Sequence, residues 1–525
     1  MLLFNFFWIK IERNIMTIFL MTNKSIIMKV LKKILIVLIL TVFTVTSCTE
    51  DLELVPVSQI STSSFWTSEN DVAGALNGMY VRFRLTTENQ YYWGEMRSGI
   101  MQQSIAGIVL SYQYLYKNTL NASAGVPGWG NIYTVVHDAN IILENAPTIK
   151  FANEATKNNA LAQAYAMRAF CYFVMVRTWG GVPLVTQSTN GVSESNQRPR
   201  ATAAEIFAQI KKDIAEAEKL FSNNTYPTGR AVWSKPALNA FKADVYLWTA
   251  KKLAGGNADL NTVLTTINEI EASDVTLLSN FSSIFDYNNK GNKEVIFAVR
   301  YADKESAMSL PFNASFIHPQ VAPALSQVDP ATAIAISGAD QAYSYLAVRD
   351  HVRNAFSIKD QRRNATIFDL EVYKPTYPNG VKSLVVTIQN KYQGVLISGG
   401  RRWFNDYVIY RYGDILLMKA EAKNALGQDP SIEINKVRKR AYGADFNQFA
   451  FVNGSKAAND TEILKEKLME TAFEGHYWYD LVRFGKVFDL VPELIGQTGK
   501  DHMQLFPIDQ NILSKEPKVT QNPGW

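Results

Sequence analysis

The sequence predicts a mainly α-helical protein, a scaffold of helical hairpins carrying a loop-rich insertion that contains short strands. Three observations support this. Apolar residues recur at three- and four-residue spacing over most of the chain. Ser, Thr or Asp stands where those runs begin, and Gly or Pro where several of them end. Between about 275 and 405 the texture changes to short β-branched runs set among Gly, Pro, Asn and Ser.

In chain order, Ser68 can cap a helix to about Arg84, with Asp71 in its first turn favoured by the positive end of the helix dipole. A second helix covers about Trp129 to Glu144 and stops before Pro147. A third runs from about Glu154 to Arg177. Ala160, Ala164, Met167, Cys171 and Val174 make one stripe on it, and Leu161, Tyr165, Tyr172 and Met175 a second, so most of its faces are buried. Gly180-Gly181-Val182-Pro183 ends it. Thr202 and Glu205 form a capping box for a helix to about Phe221. Ser234, with Pro236 in the first turn, opens another, striped by Leu238, Phe241, Val245 and Trp248; residues 259–272 give one more. Inside the insertion, Val295–Val299 and Leu384–Ile388 read as strands. Helices return at Tyr407–Leu426, at Pro430–Ala441 with Asp429 as cap, and at Thr461–Phe473. Several helices form pairs with short connections. Small-residue stripes such as Ala160/Ala164 and Ala420/Ala422/Ala425 permit close approach. The pairing resembles tetratricopeptide (TPR) hairpins, without their regular repeat of roughly 34 residues.

The N-terminal stretch predicts export. Lys29, Lys32 and Lys33 precede a 12-residue h-region, Ile34 to Val45, and small residues lead to Cys48. The h-region is too short to span a bilayer, which takes about 20 apolar residues. Val45-Thr46-Ser47-Cys48 resembles a bacterial lipobox, in which the Cys thiol receives acyl chains such as palmitate. Cys48 is therefore the expected lipidation site, and Cys171 then has no disulfide partner. Met28 opens the signal, 28–47. Residues 1–27 read as an extension upstream of the expected start, with Met21 as an alternative. Residues 48–64 are a polar, lipidated tether. The leader also holds the excess charge. Residues 1–47 carry six Lys/Arg against Glu12, so the formal +5 of the whole chain falls to zero after residue 47. A neutral body gives no footprint for nucleic acid.

Candidate chemistry falls into three groups. Glu474, His476, Asp480 and Arg483 look catalytic, but residues two apart do not share a helix face. A retaining glycosidase also needs carboxyls about 5 Å apart across a cleft. The expectation is a buried polar network with Arg483 paired to a carboxylate. The five His are scattered, and no HExxH, CxxC, calcium loop, complete P-loop or GxSxG occurs, so no metal site, cofactor or catalytic residue is assigned. Aromatic residues in polar surroundings are the ligand candidates, because Tyr and Trp faces stack on sugar rings. Tyr112, Tyr114 and Tyr116 alternate, and an extended segment would turn all three to one side. They come first, then Trp403 behind Arg401-Arg402, then Tyr91 and Tyr92.

Five segments together resemble the signature blocks of the SusD/RagB family of Bacteroidota outer-membrane lipoproteins. They are Phe65-Trp66 with Asn77-Gly78-Met79-Tyr80; Arg168 to Phe173 through Trp179-Gly-Gly-Val-Pro-Leu184; Gly229-Arg230 with Ala237 to Tyr246; Arg411-Tyr412-Gly-Asp414 through Glu421; and Phe473-Glu474-Gly475-His476 through Gly485. The closing Phe506-Pro507-Ile508 and Gln521 to Trp525 are also similar. The resemblance implies a TPR-containing helical fold, with a SusD-like N-terminal region at 65–274 and a SusD/RagB C-terminal region at 275–525. It implies no enzyme activity. It implies capture of oligosaccharides or, in some members, peptides, as the lid of a SusC-like TonB-dependent transporter. Glu50, Asp51 and Glu53 behind Cys48 resemble the family's surface-export signal, which implies the outer face of the outer membrane. A surface-anchored glycan hydrolase is the competing reading.

Overall fold

Local capping chemistry sets most of the scaffold helices. The computed structural model describes Met28 and residues 65–124, 127–189, 196–306 and 312–525. The leader, Cys48 and the tether before residue 65 lie outside the described residues. Trp66–Trp525 form one unit.

Helix α1 (Glu69–Tyr91) starts where the Ser68 N–H donates to Asp71 Oδ2 at 2.7 Å. It overruns its expected end at Arg84, because Phe83, Thr86, Thr87, Gln90 and Tyr91 form a buried face. Thr86 is held by donating to the Phe83 carbonyl, 2.7 Å. The helix then widens into a π turn, Tyr92–Met96. A short helix α2 (Leu110–Tyr116) follows. Helices α3 (Gly130–Asn145) and α4 (Glu154–Trp179) form a hairpin around Pro147. Asn153 caps α4 by accepting the Ala155 N–H at 2.7 Å, and Gly180, at φ +77°, ends it.

Helices α5 (Ala203–Leu220), α6 (Lys235–Lys252) and α7 (Gly256–Glu271) continue the scaffold. α5 has the expected capping box: Glu205 accepts the Thr202 N–H at 2.8 Å and Thr202 accepts the Glu205 N–H at 3.2 Å. α3 packs on α4, α4 on α5, and α6 on α7. Buried ion pairs tie the layers, Arg168 to Asp213 across α4 and α5 at 2.6 Å, and Arg177 to Asp244 across α4 and α6 at 3.3 Å.

Four two-stranded antiparallel sheets occur among the described residues, two within the insertion and two that join it to strands outside it. They pair β1 (Met101–Gln103) with β3 (Leu346–Val348), β2 (Val295–Val299) with β8 (Tyr407–Arg411), β4 (Ile367–Lys374) with β5 (Val381–Gln389), and β6 (Val395–Ile397) with β7 (Gly400–Arg402). β8 corrects the sequence reading, which gave Tyr407–Leu426 to one helix. Tyr407–Arg411 pairs with β2 and is buried throughout, and a short apolar run of this kind has no periodicity that separates strand from helix. The helix, α8, is Tyr412–Ala425. It packs on α9 (Ser431–Tyr442) and α10 (Lys456–Thr471), and α10 contacts α11 (Tyr477–Phe484). α10 starts five residues before the expected Thr461, because Ser455 accepts the Ala458 N–H at 3.3 Å. Among the described residues no helix is long and apolar enough to cross a membrane.

Candidate ligand-binding site

Glu474, Asp480 and Arg483 of the expected catalytic cluster are buried and ion-paired, while His476 is half-buried and takes part through its backbone N–H, which donates to Glu95. Arg411 holds Glu474 through Nε at 2.7 Å and Nη2 at 2.9 Å, and Lys391 reaches the same carboxylate at 2.5 Å. Arg411 also pairs with Glu470 at 2.6 Å and Glu294 at 3.2 Å. Arg362 adds Asp360, Glu466 and Glu470 at 2.7, 2.6 and 2.9 Å. A neighbouring group joins Arg483 to Asp480 at 2.5 Å and to Glu421 at 2.8 Å, with Lys467 3.2 Å from both Asp480 and Asp414. Burial works to raise the Glu474 carboxyl, yet Arg411 and Lys391 outweigh it and hold it below the usual glutamate value. Every carboxylate here already faces a cation, and Glu474, which lines a small cavity with His476, is held there by Arg411 and Lys391.

The aromatic candidates separate into core and surface. Tyr112, Tyr114 and Tyr116 lie on α2, not on an extended segment, and this corrects the expected three-ring platform. On a helix, residues two apart diverge, so Tyr112 and Tyr116 turn inward while Tyr114 is half-buried. The Tyr116 hydroxyl is buried without a partner. Trp403 is buried edge-on against Phe316 at 5.9 Å, and Tyr91 is buried against Phe312 at 5.5 Å. Neither offers a free face.

Tyr92 and Tyr112 are brought together. Their hydroxyls lie 3.1 Å apart and their rings 5.6 Å apart. The Tyr92 hydroxyl donates to Glu88 Oε1 at 2.7 Å, so Tyr112 must donate to Tyr92 and keeps its own oxygen as an acceptor. Burial pushes the Tyr112 phenol up to about 12, with Glu88, Tyr343 and Tyr345 adding to the rise. It is therefore a neutral hydroxyl near pH 7, with two further tyrosines close by.

Those two tyrosines are what the sequence reading missed. Tyr343 and Tyr345 stack at 5.4 Å with an interplanar angle of 4°, and Tyr343 is 43% exposed. Ser344 between them points inward, donating to the Phe316 carbonyl at 3.0 Å and accepting the His318 N–H at 2.7 Å. Backbone bonds hold the segment on both sides. Tyr343 N–H donates to Asn313 O at 2.9 Å, and Ser104 and Ala106 donate to Tyr345 and Ser344 at 3.0 and 3.1 Å. Ile105, Ile108 and Leu110, all exposed, extend the apolar surface from this edge. The ledge offers a flat apolar ring beside the Tyr112, Tyr92 and Glu88 oxygens. That suits a ligand with one apolar face and several hydroxyls. The signal for it was Tyr-Ser-Tyr ahead of Leu346-Ala347-Val348.

The ledge is braced from below by Glu95, in the π turn that carries Tyr92. Its carboxylate accepts the N–H groups of Phe473, Gly475 and His476 at 2.7, 2.9 and 3.1 Å. A Cβ on Gly94 would overlap the Gly475 carbonyl oxygen, so the two backbones touch.

Comparisons with known proteins agree with this architecture. A family model described as "SusD family" matches residues 388–525, and one described as "Starch-binding associating with outer membrane" matches residues 52–247. SusD-like protein P38 of Formosa agariphila is 29% identical over 91% of this chain and 95% of its own length. The structure of NanU from Bacteroides fragilis superposes with a TM-score of 0.79 at 32% identity, covering 90% of this chain and 99% of NanU. A laminarin-binding SusD-like protein shares the fold, with a TM-score of 0.70 at 22% identity over 88% of this chain and all of that one. With helical hairpins, signature blocks and a full-length structural match all in agreement, the chain belongs to the SusD/RagB family.

Proposed function

We propose that this protein is an outer-membrane lipoprotein that binds an oligosaccharide on the Tyr343–Tyr345 ledge. In this reading it sits on the outer face, held by acyl chains on Cys48, and passes its ligand on as the lid of a SusC-like TonB-dependent transporter. The observation that carries the reading is the stacked tyrosine pair, Tyr343 exposed and Tyr345 half-buried, beside the Tyr112–Tyr92–Glu88 hydrogen-bond chain. A pyranose presents a C–H face for the ring and hydroxyls for the oxygens. Support also comes from the matched description, starch-binding with outer-membrane association, and from a structural neighbour named for laminarin binding. The protein works by binding without turnover. Its most enzyme-like carboxylates, Glu474 and Asp480, are occupied by Arg411, Lys391, Arg483 and Lys467.

Affinity purification of tagged protein from membranes in mild detergent tests the partnership. A β-barrel transporter of the SusC type is expected to co-purify, through an interface above about 1,000 Å². Recovery of the protein alone, where a known pair survives, refutes the lid assignment. Cys48→Ala is expected to release the protein from the outer membrane on fractionation. Retention there with unchanged detergent partitioning refutes the anchor.

A further inference from the structure

We propose a second ligand site, away from the ledge: a cleft that takes an acidic sugar, carboxylated or sulfated. It lies between the first turns of α3, residues 183–189, residues 196–198, and the helical turn Gln510–Lys515. Its volume is about 470 Å³, inside the range of about 300–1,000 Å³ typical of small-molecule sites.

The floor is apolar, formed by Tyr133, Pro183, Val185 and Ile512. Tyr133 is fixed in place. Its hydroxyl donates to the Pro183 carbonyl at 2.5 Å, and its ring stands edge-on to Trp129 at 6.1 Å. The walls are also held by the fold. Arg200 donates to the Trp179 carbonyl at 2.9 Å and the Thr520 carbonyl at 3.0 Å, anchoring the segment that carries Arg198. The Gln510 N–H donates to Ala122 O at 2.9 Å, anchoring the opposite wall. The shape therefore exists without a ligand.

The rim sets the ligand class. Arg198 and Lys515 both line the opening and both are exposed. Among the described residues neither has a hydrogen-bond or ion-pair partner. Asn511 and Glu516 stand on the same rim. Glu516 lies close enough to Tyr133 for its charge to help raise that phenol's pKa, a rise caused mainly by burial. A sugar ring stacked on Tyr133 would direct a carboxylate or sulfate to Arg198 and Lys515, where charge-assisted hydrogen bonds form. Its hydroxyls would meet Asn511 and Glu516. A neutral sugar would leave both cations unused. The ledge has the opposite bias, since its hydrogen-bond chain ends on a carboxylate, Glu88.

The test uses full-length protein in mild detergent on an array of carboxylated, sulfated and neutral oligosaccharides. Two variants run alongside, Arg198→Ala/Lys515→Ala for the cleft and Tyr343→Ala/Tyr345→Ala for the ledge. Both cleft cations are exposed and unpaired, so the fold tolerates their loss; melting curves check this. At least one acidic oligosaccharide is expected to bind better than its neutral counterpart and to weaken as salt rises. Its affinity should fall at least tenfold in the cleft variant and stay unchanged in the ledge variant. The proposal is overturned if no acidic oligosaccharide is preferred or if its binding survives the cleft substitutions. It is equally overturned if that binding is lost with the ledge tyrosines, which would assign the acidic ligand to the ledge. Loss of neutral-glycan binding in the ledge variant alone speaks to the proposed function and leaves the cleft result separate.

Discussion

The charge network around α8, α10 and α11 and the tyrosine ledge of the insertion hold opposite chemistry in opposite surroundings. In the first, Arg362, Arg411, Glu294, Glu466 and Glu470 are almost fully buried, with every charge answered by another. In the second, an aromatic ring that usually fills a core stands 43% exposed. The residue types that suggest catalysis are therefore structural here, and those that suggest packing are offered to solvent. Surroundings decide the role, because a buried charge is costly without partners, while an exposed ring leaves a face open to contact.

The largest break in this comparison is expected at Arg411. Arg411→Ala removes the cation that Glu470, Glu474 and Glu294 share in the interior, leaving them only Arg362, Arg440 and Lys391, and removing one partner of a buried network costs about 3–5 kcal/mol. Denaturant titration should show that loss, with ledge binding unchanged in whatever fraction stays folded. A smaller loss would mean that water reaches the network. Acid sharpens the same contrast. Burial works to raise the Glu470 and Glu421 carboxyls, but their arginine partners outweigh it and depress both below the ordinary 4.5. Groups with a depressed folded pKa stabilise the fold fully above 4.5, and that contribution is lost as pH falls below it. Unfolding midpoints should not fall between neutral pH and 5 and should drop beneath 4.5. A midpoint that falls already near neutrality would contradict the pairing.

On the ledge side the expected effects are smaller and of a different kind. Each tyrosine face buried against a sugar contributes roughly 1–2 kcal/mol at about 25 cal/mol per Å². Tyr343→Ala/Tyr345→Ala should thus weaken glycan binding at least tenfold in calorimetry, since about 1.4 kcal/mol is a factor of ten. Melting should hardly move, and unchanged affinity in a folded protein removes the ledge from consideration. The smallest effect is expected at Tyr116, whose buried hydroxyl has no partner. Tyr116→Phe should shift stability by no more than about 1 kcal/mol, on the stabilising side. A clear loss would reveal an acceptor for that hydroxyl.

The scaffold was readable from sequence because its determinants are local. Ser68, Asn153, Thr202 and Ser234 cap helices using residues two or three positions away, so a short window contains the cause. The overrun of α1, the strand at Tyr407–Arg411 and the site itself depend on distant partners. Tyr112-Gln-Tyr-Leu-Tyr116 and Tyr343-Ser-Tyr345 show the same alternation, but the first is helical and the second turns at Ser344, which has φ +54°. What separates them is the backbone of Asn313–Phe316 and Ser104–Ala106, which pairs with the second. The buried network was anticipated as a polar lock, with Arg483 paired to a carboxylate. Its full membership, including Lys391 and Glu294, was not, because those residues come from the insertion.

Glu95 also bears on how the chain reaches its native state. Its bonds to Phe473, Gly475 and His476 close a loop of nearly 380 residues, so the turn that carries Tyr92 is completed by a segment made long after it. Closing so long a loop carries an entropy of about 5 kcal/mol, returned only when the surrounding contacts form together. A chain interrupted before Phe473 would contain every residue of the ledge and still lack its support. The turn beneath the ledge is therefore finished only when the chain has been made past His476, and a shorter chain carries the ledge tyrosines without their brace.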